Sequence, residues 1–373
     1  MGFSLLEGNE AMAWGAMKAG CRFFAGYPIT PANTILSTML QILPPVGGTV
    51  MQGEDEIASI GACLGASMAG LKVMTATSGP GLSLYSEHIS FAIGSEIPIV
   101  IVDVQRLGPS TGSATRGADG DIQFIRWGCS GGLPVIVLAP VDVRDCFTLT
   151  MQAFNLAEEY RCPVFLASNK EIGMTKESVD MDALSPPPVL DRAAPPPGQS
   201  FLPFAVPPEG MVPYFLPIGE TVPVRQTSST HGADGYITTD YNEIAKSQER
   251  LKNKLEGAVG RFTFFDECRE EGADTLLLTY GVTARAAWEV YEERKGTDAP
   301  ISLLVLKTLW PVPEDLIREK GRGFKRVAVI EMNLGQYVRE VERLLPGQKI
   351  DFLGRMDGRL ITPNQIKEVV NHG

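Results

Sequence analysis

Short apolar runs alternate with segments of helical spacing from residue 8 to about residue 180. The apolar runs predict strands buried on both faces of a sheet, and they cover residues 22–25, 72–77, 98–104, 133–139 and 163–167. The helical segments cover residues 9–19, 57–69 and 143–160. This alternation predicts an α/β fold in which helices cover both faces of a parallel sheet.

The same alternation returns in the last third of the chain. It predicts strands at residues 275–280, 301–306 and 327–330, and helices at residues 284–294 and 314–320. The strands recur at intervals of about 25 residues, a spacing that suits right-handed βαβ crossovers. We therefore expect a second α/β domain.

A proline-rich stretch separates the two patterns, with proline triplets at residues 186–188 and 195–197. Because proline disfavours helices and central strands, this stretch predicts a linker or an extended arm. Its aromatic residues indicate that it docks on the protein; they are Phe201, Phe204, Tyr214 and Phe215. With a polar helix at residues 241–255, these features predict a first domain (1–184), an arm with a helix (185–258) and a second domain (259–373).

The chain carries a formal net charge of −11. Nucleic acids and anionic membranes are bound by clustered lysine and arginine, so this charge argues against both as partners. The apolar runs are shorter than the roughly 18–20 residues that span a membrane. The first ten residues lack the basic and apolar regions of a secretory signal, which favours the cytoplasm.

The six cysteines lie scattered along the chain, with no pair at C-x-x-C spacing. This pattern is typical of small buried thiols. Iron–sulfur clusters need closely spaced thiolates. We therefore predict neither a metal site nor a cluster on this chain.

The sequence Gly-Tyr-Pro-Ile-Thr-Pro at residues 26–31 follows the first predicted strand of the sheet. In open α/β sheets this end of a strand is where ligands bind. The prolines would stiffen the loop and present the Thr30 hydroxyl. The same letters also fit a helix that begins with proline and binds no ligand.

Three acids, Glu54, Asp55 and Glu56, precede a helix rich in alanine, glycine and serine. Acids at this position complement the helix dipole. A carboxylate held in a desolvated crevice can instead exchange protons with a ligand. The local sequence leaves both interpretations open.

Two further motifs follow predicted strands. Residues 77–81 form a Thr-Ser-Gly-Pro-Gly turn, which alone is a weak signal and matches no nucleotide-binding fingerprint. Arg106 ends a buried strand and enters a loop rich in glycine, proline and serine, where its guanidinium could hold a carboxylate with two hydrogen bonds. The alternative is a structural arginine paired with Asp119 or Asp121.

Taken together, three motifs resemble the α subunits of 2-oxoacid:ferredoxin oxidoreductases in order and spacing. They are GYPITP, QGEDEIASIGACLGASMAGLKVMTATSGPGLSLYSE and VQRLGPSTG. The likeness spans nearly the whole chain and includes LKTLWP at residues 306–311 and EMNLGQ at residues 331–336.

The resemblance implies a thiamine-diphosphate-binding fold, with a pyrimidine-type first domain and a second domain like the transketolase C-terminal domain. The cofactor would lie between this chain and a β subunit that supplies the diphosphate and Mg²⁺ site. This chain lacks the Gly-Asp-Gly motif of such a site, which fits that division. In this family Thr30 and Arg106 would bind the 2-oxoacid carboxylate, and Tyr27 and Pro28 would line the thiamine pocket.

The resemblance also implies a glutamate at the start of the small-residue helix that hydrogen-bonds the aminopyrimidine ring. Glu54 and Glu56 both qualify by position. Thiamine enzymes commonly keep nine positions between this acid and a helix glycine, and Glu56 to Gly65 has that spacing. We therefore assign Glu56 as the catalytic and cofactor-binding acid.

The implied activity is oxidative decarboxylation of a 2-oxoacid with coenzyme A and reduction of ferredoxin, with 2-oxoglutarate and succinyl-CoA as the first expectation. Thiamine diphosphate would be shared, while Mg²⁺ and a [4Fe–4S] cluster would belong to the β subunit, with γ and δ subunits as further partners in an (αβ)₂ or larger assembly. The alternatives are a subunit for branched-chain, aryl or indole 2-oxoacids, and a noncatalytic scaffold.

Two segments depart from the commoner family pattern. They are Ala32-Asn33 and residues 113–121, and both flank the expected substrate end. The identity of the 2-oxoacid therefore stays open. Arg116 in the second segment is either a further carboxylate contact or a surface residue.

Overall fold

The computed structural model describes residues 2–198, 200–208 and 210–372. Within them the strands are β1 (Phe3–Glu7), β2 (Cys21–Gly26), β3 (Thr49–Gln52), β4 (Lys72–Thr77), β5 (Ile99–Gln105), β6 (Ile136–Leu138), β7 (Pro163–Asn169), β8 (Lys176–Asp180), β9 (Phe265–Cys268), β10 (Thr275–Tyr280), β11 (Ile301–Leu306), β12 (Thr308–Trp310), β13 (Arg326–Glu331) and β14 (Lys349–Gly354).

The helices are α1 (Gly8–Lys18), α2 (Asn33–Ile42), α3 (Glu56–Met68), α4 (Gly79–Leu84), α5 (Ser86–Gly94), α6 (Ile122–Trp127), α7 (Val143–Tyr160), α8 (Lys170–Met174), α9 (Tyr241–Glu256), α10 (Thr283–Arg294), α11 (Glu314–Gly321), α12 (Val338–Leu344) and α13 (Pro363–His372). No helix of the described residues is both long and apolar enough to cross a membrane.

The large sheet has the strand order β12-β6-β7-β5-β4-β2-β3. Its strands run parallel from β6 to β3, and β12 joins the edge antiparallel to β6. The prediction of a parallel sheet is confirmed. The predicted strand at residues 133–139 shortens to the three residues of β6.

Helices cover both faces of this sheet, as the sequence predicts. Side chains of β5 alternate between the faces because successive residues of a strand point in opposite directions. Val100, Val102 and Val104 pack into the core formed with α1, α2 and α7. Ile99 and Ile101 pack into the core formed with α3 and α5.

A second sheet has the order β14-β13-β10-β11-β9, with β9 antiparallel to β11 and the other strands parallel. The short strand β12 follows β11 directly but pairs with β6 of the large sheet. The Trp310 indole N–H also donates to the Ile122 carbonyl at 3.1 Å. The LKTLWP segment therefore ties the second sheet to the first, and the predicted domain boundaries stay a prediction.

The described part of residues 185–240 contains no strand beyond isolated bridges and no helix. Phe204 and Phe215 are buried. Arg192 donates to both carboxylate oxygens of Glu158 at 2.7 and 2.8 Å, and its guanidinium lies 4.4 Å from the centre of the Phe215 ring. The arm thus docks on the protein, as its aromatic residues predict.

Helix α9 is anchored by a buried ion-pair network. Glu96 is fully buried and accepts hydrogen bonds from Arg250 at 2.6 Å and Lys254 at 2.9 Å. Burial alone would raise the pKa of Glu96, but the charges of Lys254 and Arg250 lower it to about 2. The network holds the helix that follows the arm against the first sheet.

Candidate active site

The motifs singled out in the sequence gather at one edge of the large sheet. Strands β5, β4, β2 and β3 are neighbours and run parallel, so their carboxyl ends meet there. The GYPITP loop follows β2 and the three acids follow β3. The Ser-Gly-Pro-Gly turn follows β4 and Arg106 follows β5.

The three consecutive acids take three different positions. Glu54 is exposed. Asp55 caps α3, because its Oδ1 accepts from the Ala58 amide at 2.7 Å. Glu56 is the first residue of α3, and only 8% of its surface is exposed. The helix-capping role therefore belongs to Asp55, and the carboxylate held in a crevice is that of Glu56.

Glu56 is packed against the glycine-rich turn after β4. A Cβ atom on Gly81 would lie 2.7 Å from Glu56 Cγ and 2.9 Å from Oε1, and closer still to the Thr77 hydroxyl. Only a glycine leaves room for these neighbours. The turn that is a weak signal alone thus forms one wall of the Glu56 crevice.

Arg106 reaches across from β5 to the GYPITP loop. Its Nη1 donates to the Thr30 carbonyl oxygen at 2.6 Å, while its buried Nε has no hydrogen-bond partner in the described structure. Burial lowers the pKa of Arg106, and the nearby carboxylates of Asp121 and Glu56 act in the opposite direction. The guanidinium is therefore oriented by one contact and keeps N–H groups for another.

The alternative interpretation paired Arg106 with an aspartate. Within the described residues, neither Asp119 nor Asp121 forms an ion pair with Arg106 at 4.0 Å or less. Asp119 instead accepts a hydrogen bond from Asn169 at 2.8 Å. Asp121 acts on Arg106 only through its charge.

Tyr27 and Pro28 lie at the exposed rim of this edge, and 40% of the Tyr27 surface is accessible. The far end of their loop is held by Asn9 of α1, which sequence reasoning missed. Its fully buried side-chain amide donates to the Pro31 carbonyl at 2.8 Å and to the Thr34 hydroxyl at 2.7 Å. The available signal was a polar residue in a helix that otherwise packs through alanine and methionine.

Three further acids next to the site were also missed as functional candidates. Burial raises the pKa of Asp119 to about 7 and that of Asp121 to about 6. Burial and the charges of Asp121 and Asp119 raise the pKa of Asp103 well above its ordinary value. The signal for Asp103 was a charge inside the apolar run of β5.

Two family models match the chain. Residues 14–250 match the thiamine-diphosphate-binding domain family of pyruvate flavodoxin/ferredoxin oxidoreductases. Residues 273–366 match core domain II of pyruvate:ferredoxin oxidoreductase. This chain belongs to the 2-oxoacid:ferredoxin oxidoreductase family.

Relatives of similar length place it among the α-type subunits of this family. The chain is 37% identical to the 2-oxoglutarate synthase subunit KorA of Methanothermobacter thermautotrophicus, over 98% of this chain and 97% of the relative. It is 38% identical to KorA of Methanocaldococcus jannaschii, over 99% and 100%. It is 33% identical to the ketoisovalerate oxidoreductase subunit VorB of M. thermautotrophicus, over 99% and 97%.

A solved structure confirms the fold. The 2-oxoglutarate:ferredoxin oxidoreductase of Magnetococcus marinus, with 2-oxoglutarate, coenzyme A and succinyl-CoA bound, superposes with a TM-score of 0.93 at 30% identity. The match covers 99% of this chain and 65% of that chain. A split-gene transketolase at 13% identity and a TM-score of 0.56 shows the same type of fold.

The residues at the strand edge fit the pyrimidine half of thiamine diphosphate. Glu56 offers a nearly buried carboxylate that can accept a hydrogen bond from a ring, and Tyr27 and Pro28 offer exposed apolar surface after the neighbouring strand β2. Among the described residues, no group of three or more histidine, cysteine, aspartate or glutamate side chains is placed to hold a metal ion.

Proposed function

We propose that this chain is the α subunit of a 2-oxoglutarate:ferredoxin oxidoreductase that forms succinyl-CoA. One observation carries the proposal. In a member of this family, the buried Glu56 carboxylate and the Arg106 guanidinium, whose Nε has no hydrogen-bond partner in the described structure, lie at the same edge of the large sheet. Four relatives named as 2-oxoglutarate synthase subunits are 37–38% identical, two named for ketoisovalerate are 33% identical, and one named as a 2-oxoglutarate oxidoreductase subunit is 29% identical. A branched-chain 2-oxoacid is therefore the second candidate substrate.

Each site residue has a role that its position supports. Glu56 hydrogen-bonds the aminopyrimidine ring, and Tyr27 and Pro28 line the ring pocket. The Thr30 hydroxyl and the free N–H groups of Arg106 bind the carboxylate next to the keto group, since a guanidinium suits a carboxylate in geometry and charge. When bound, thiamine diphosphate supplies the electron sink that decarboxylation needs.

A partner subunit would complete the site. Apolar side chains are exposed on three elements that start at this edge: Tyr27 at 40%, Ile57 at 45% and Leu84 at 47%. Exposed apolar side chains that form a contiguous patch are typical of protein interfaces. We propose that a β subunit covers it and carries the diphosphate and Mg²⁺ site and a [4Fe–4S] cluster, with γ and δ subunits and ferredoxin as further partners.

The assembled enzyme would be an (αβ)₂ or larger complex, with coenzyme A as co-substrate. We propose the cytoplasm as its location. Arg116 is exposed and lies beside Gly358, where a Cβ atom would be 2.8 Å from Arg116 Cβ. This position favours a surface arginine over a further substrate contact.

The test is coenzyme-A-dependent reduction of a viologen dye by the complex of this chain with its partner. The expected result is turnover of 2-oxoglutarate in preference to 2-oxoisovalerate, pyruvate and indolepyruvate. If the complex turned over only one of the other acids, that acid would be the substrate in place of 2-oxoglutarate. A fully assembled, thiamine-loaded complex that oxidises none of them would favour the noncatalytic scaffold.

A matched pair of variants tests the assignment of the catalytic acid. Glu56→Gln should lower kcat/KM by about 10²–10⁴-fold, because a group that exchanges protons with the cofactor contributes an effect of that order. Glu54→Gln removes the same charge two residues away from an exposed position and should stay near the wild type. The reverse order would move the role to Glu54.

A further inference from the structure

The loop at residues 119–121, which leads into α6, is held by the second domain. The Asp119 amide donates to the Met332 carbonyl at 2.8 Å, and the Asn333 side chain donates to the Asp119 carbonyl at 2.9 Å. The Gln336 side chain donates to the Gly120 carbonyl at 2.5 Å. The EMNLGQ motif, which has no part in the proposed catalytic roles, therefore fixes the position of this loop.

The loop places the Asp121 carboxylate beside the site. The Asp121 amide donates to Gln105 Oε1 at 2.9 Å, and a Cβ atom on Gly79 would lie 3.0 Å from Asp121 Oδ2. Asp103 is two residues before Gln105 on β5, so the two side chains lie on the same face of the strand. Asp121 thus lies near Asp103, between the start of α4 and the strand end that carries Arg106.

Polar atoms without partners concentrate at this point. Asp103 is fully buried, and neither of its carboxylate oxygens has a hydrogen-bond partner in the described structure. The same holds for Asp121 Oδ2 and Arg106 Nε. An unpaired buried charge is costly, so protonation is the cheaper state for a carboxylate here.

Acidic side chains outnumber basic side chains around Asp121. Arg106 is the basic group that acts on Asp121, while Asp103 on β5 and Asp119 in the loop are further acids nearby. Glu56 of α3 acts on Arg106, and Glu331 of the second domain acts on Asp119. Burial raises the pKa of Asp121 to about 6, and Arg106 limits that rise. Asp121 is therefore largely ionised above neutral pH and is easily protonated.

We propose that Asp121 takes up a proton when a substrate carboxylate binds to Arg106. The substrate brings a second anion to Arg106, the basic group whose charge acts on Asp121. Protonation of Asp121 removes the repulsion between the two carboxylates. The inference rests on the proposed carboxylate-binding role of Arg106. It makes Asp121 a residue that tunes substrate affinity without touching the reacting atoms.

The sign of the pH dependence follows from linkage. Because bound carboxylate raises the pKa of Asp121, binding takes up a proton and becomes tighter as pH falls through the interval between the free and bound pKa values. If binding raises the pKa from about 6 by about one unit, affinity should be about fivefold higher at about pH 6 than at about pH 8.

The experiment measures the inhibition constant of glutarate, which lacks the keto group, in the assembled complex across this pH range. For the wild-type enzyme, the inhibition constant should be about fivefold lower at about pH 6 than at about pH 8, and this difference is the slope referred to below. Asp121→Asn should remove it and bind glutarate as much as about tenfold more tightly at about pH 8, because the repulsive charge is gone. If Asp121→Asn weakens binding at every pH and keeps the slope, the proposal is overturned.

Two further variants locate the proton. Asp145 is also a buried aspartate whose pKa burial raises to about 6, but its neighbour is Lys307 at 3.1 Å and not Arg106. Asp145→Asn and Asp103→Asn should both keep the slope. If Asp103→Asn abolishes it and Asp121→Asn does not, the proton goes to Asp103 and the assignment is wrong.

A calorimetric measurement does not depend on any variant folding. Glutarate binding to the wild-type complex near pH 6.5, in buffers of different ionisation enthalpy, should show uptake of about half a proton. If glutarate binding takes up no proton, the inference is overturned. Failure of the underlying function would look different, since 2-oxoglutarate would not turn over or glutarate would not compete with it.

Discussion

Gly81→Ala should disable the site by moving Glu56. The added Cβ atom would meet Glu56 Cγ at 2.7 Å, whereas ordinary contacts begin at 3.4 Å, so the glutamate must retreat by about 0.7 Å. The Thr77 hydroxyl must move as well. Because a misplacement of about 1 Å can cost about 100-fold in rate, we expect kcat/KM to fall by about 10–100-fold.

The net loss of folding stability should be at most about 2.5 kcal/mol. Overpacking costs about 1–3 kcal/mol, and the replacement of a helical glycine by alanine returns about 0.5–1 kcal/mol. The assay is 2-oxoacid-dependent dye reduction by the assembled complex, with thermal unfolding as a check on the fold. Gly260→Ala is the matched control, because its Cβ atom would meet nothing within 4 Å. A folded, assembled Gly81→Ala enzyme within about threefold of the wild type would refute the reasoning.

Two other perturbations test the supports of the site. Glu96→Gln leaves the buried Lys254 and the partly buried Arg250 of α9 without their anion, and it should lower the free energy of unfolding by about 3–5 kcal/mol in chemical denaturation. Glu256→Gln, which breaks an exposed ion pair on the same helix, should cost less than about 1 kcal/mol. Equal losses for the two variants would contradict this prediction. Because the pKa of Glu96 is lowered from 4.5 to about 2, its contribution is complete above pH 4.5 and is lost as pH falls towards 2, so the variant should lack that part of the acid dependence. Asn9→Ala removes the hydrogen bonds to Pro31 and Thr34 and should raise the KM for the 2-oxoacid several-fold in steady-state kinetics. An unchanged KM would mean that the loop at residues 26–31 keeps its conformation without Asn9.

Among the described residues, eight of the twelve strands in the two larger sheets and six of the thirteen helices could be predicted from local pattern. The predicted helix at residues 143–160 has the bounds of α7, and the predicted strand at residues 275–280 has those of β10. Local prediction works there because each element shows its own periodicity of buried positions. The same holds for the motifs of the site, since each one follows a strand directly.

The local sequence pattern could not predict which strands pair when they are distant in the chain. β1 pairs with β8 across about 170 residues, and the apolar side chains of Phe3 and Leu5 in β1 are exposed, so the burial pattern of β1 alone does not predict this strand pair. The sequence predicts that the residues of β12 belong to the second domain, because only Lys307 separates β12 from β11. Its partner, β6, was decided by the packing of one domain against the other.

The sequence by itself determined the fold class, the family and the residue types of the site, because those depend on periodicity and on motifs within short segments. Only the tertiary structure decided how neighbours divide their roles. It buried Glu56, turned Asp55 into a helix cap and left Glu54 exposed, although the three are adjacent in the chain. Contacts with the second domain also brought Asp121 to the end of β5, next to Gln105. Burial and charge proximity arise from contacts between distant segments, and no local pattern encodes them.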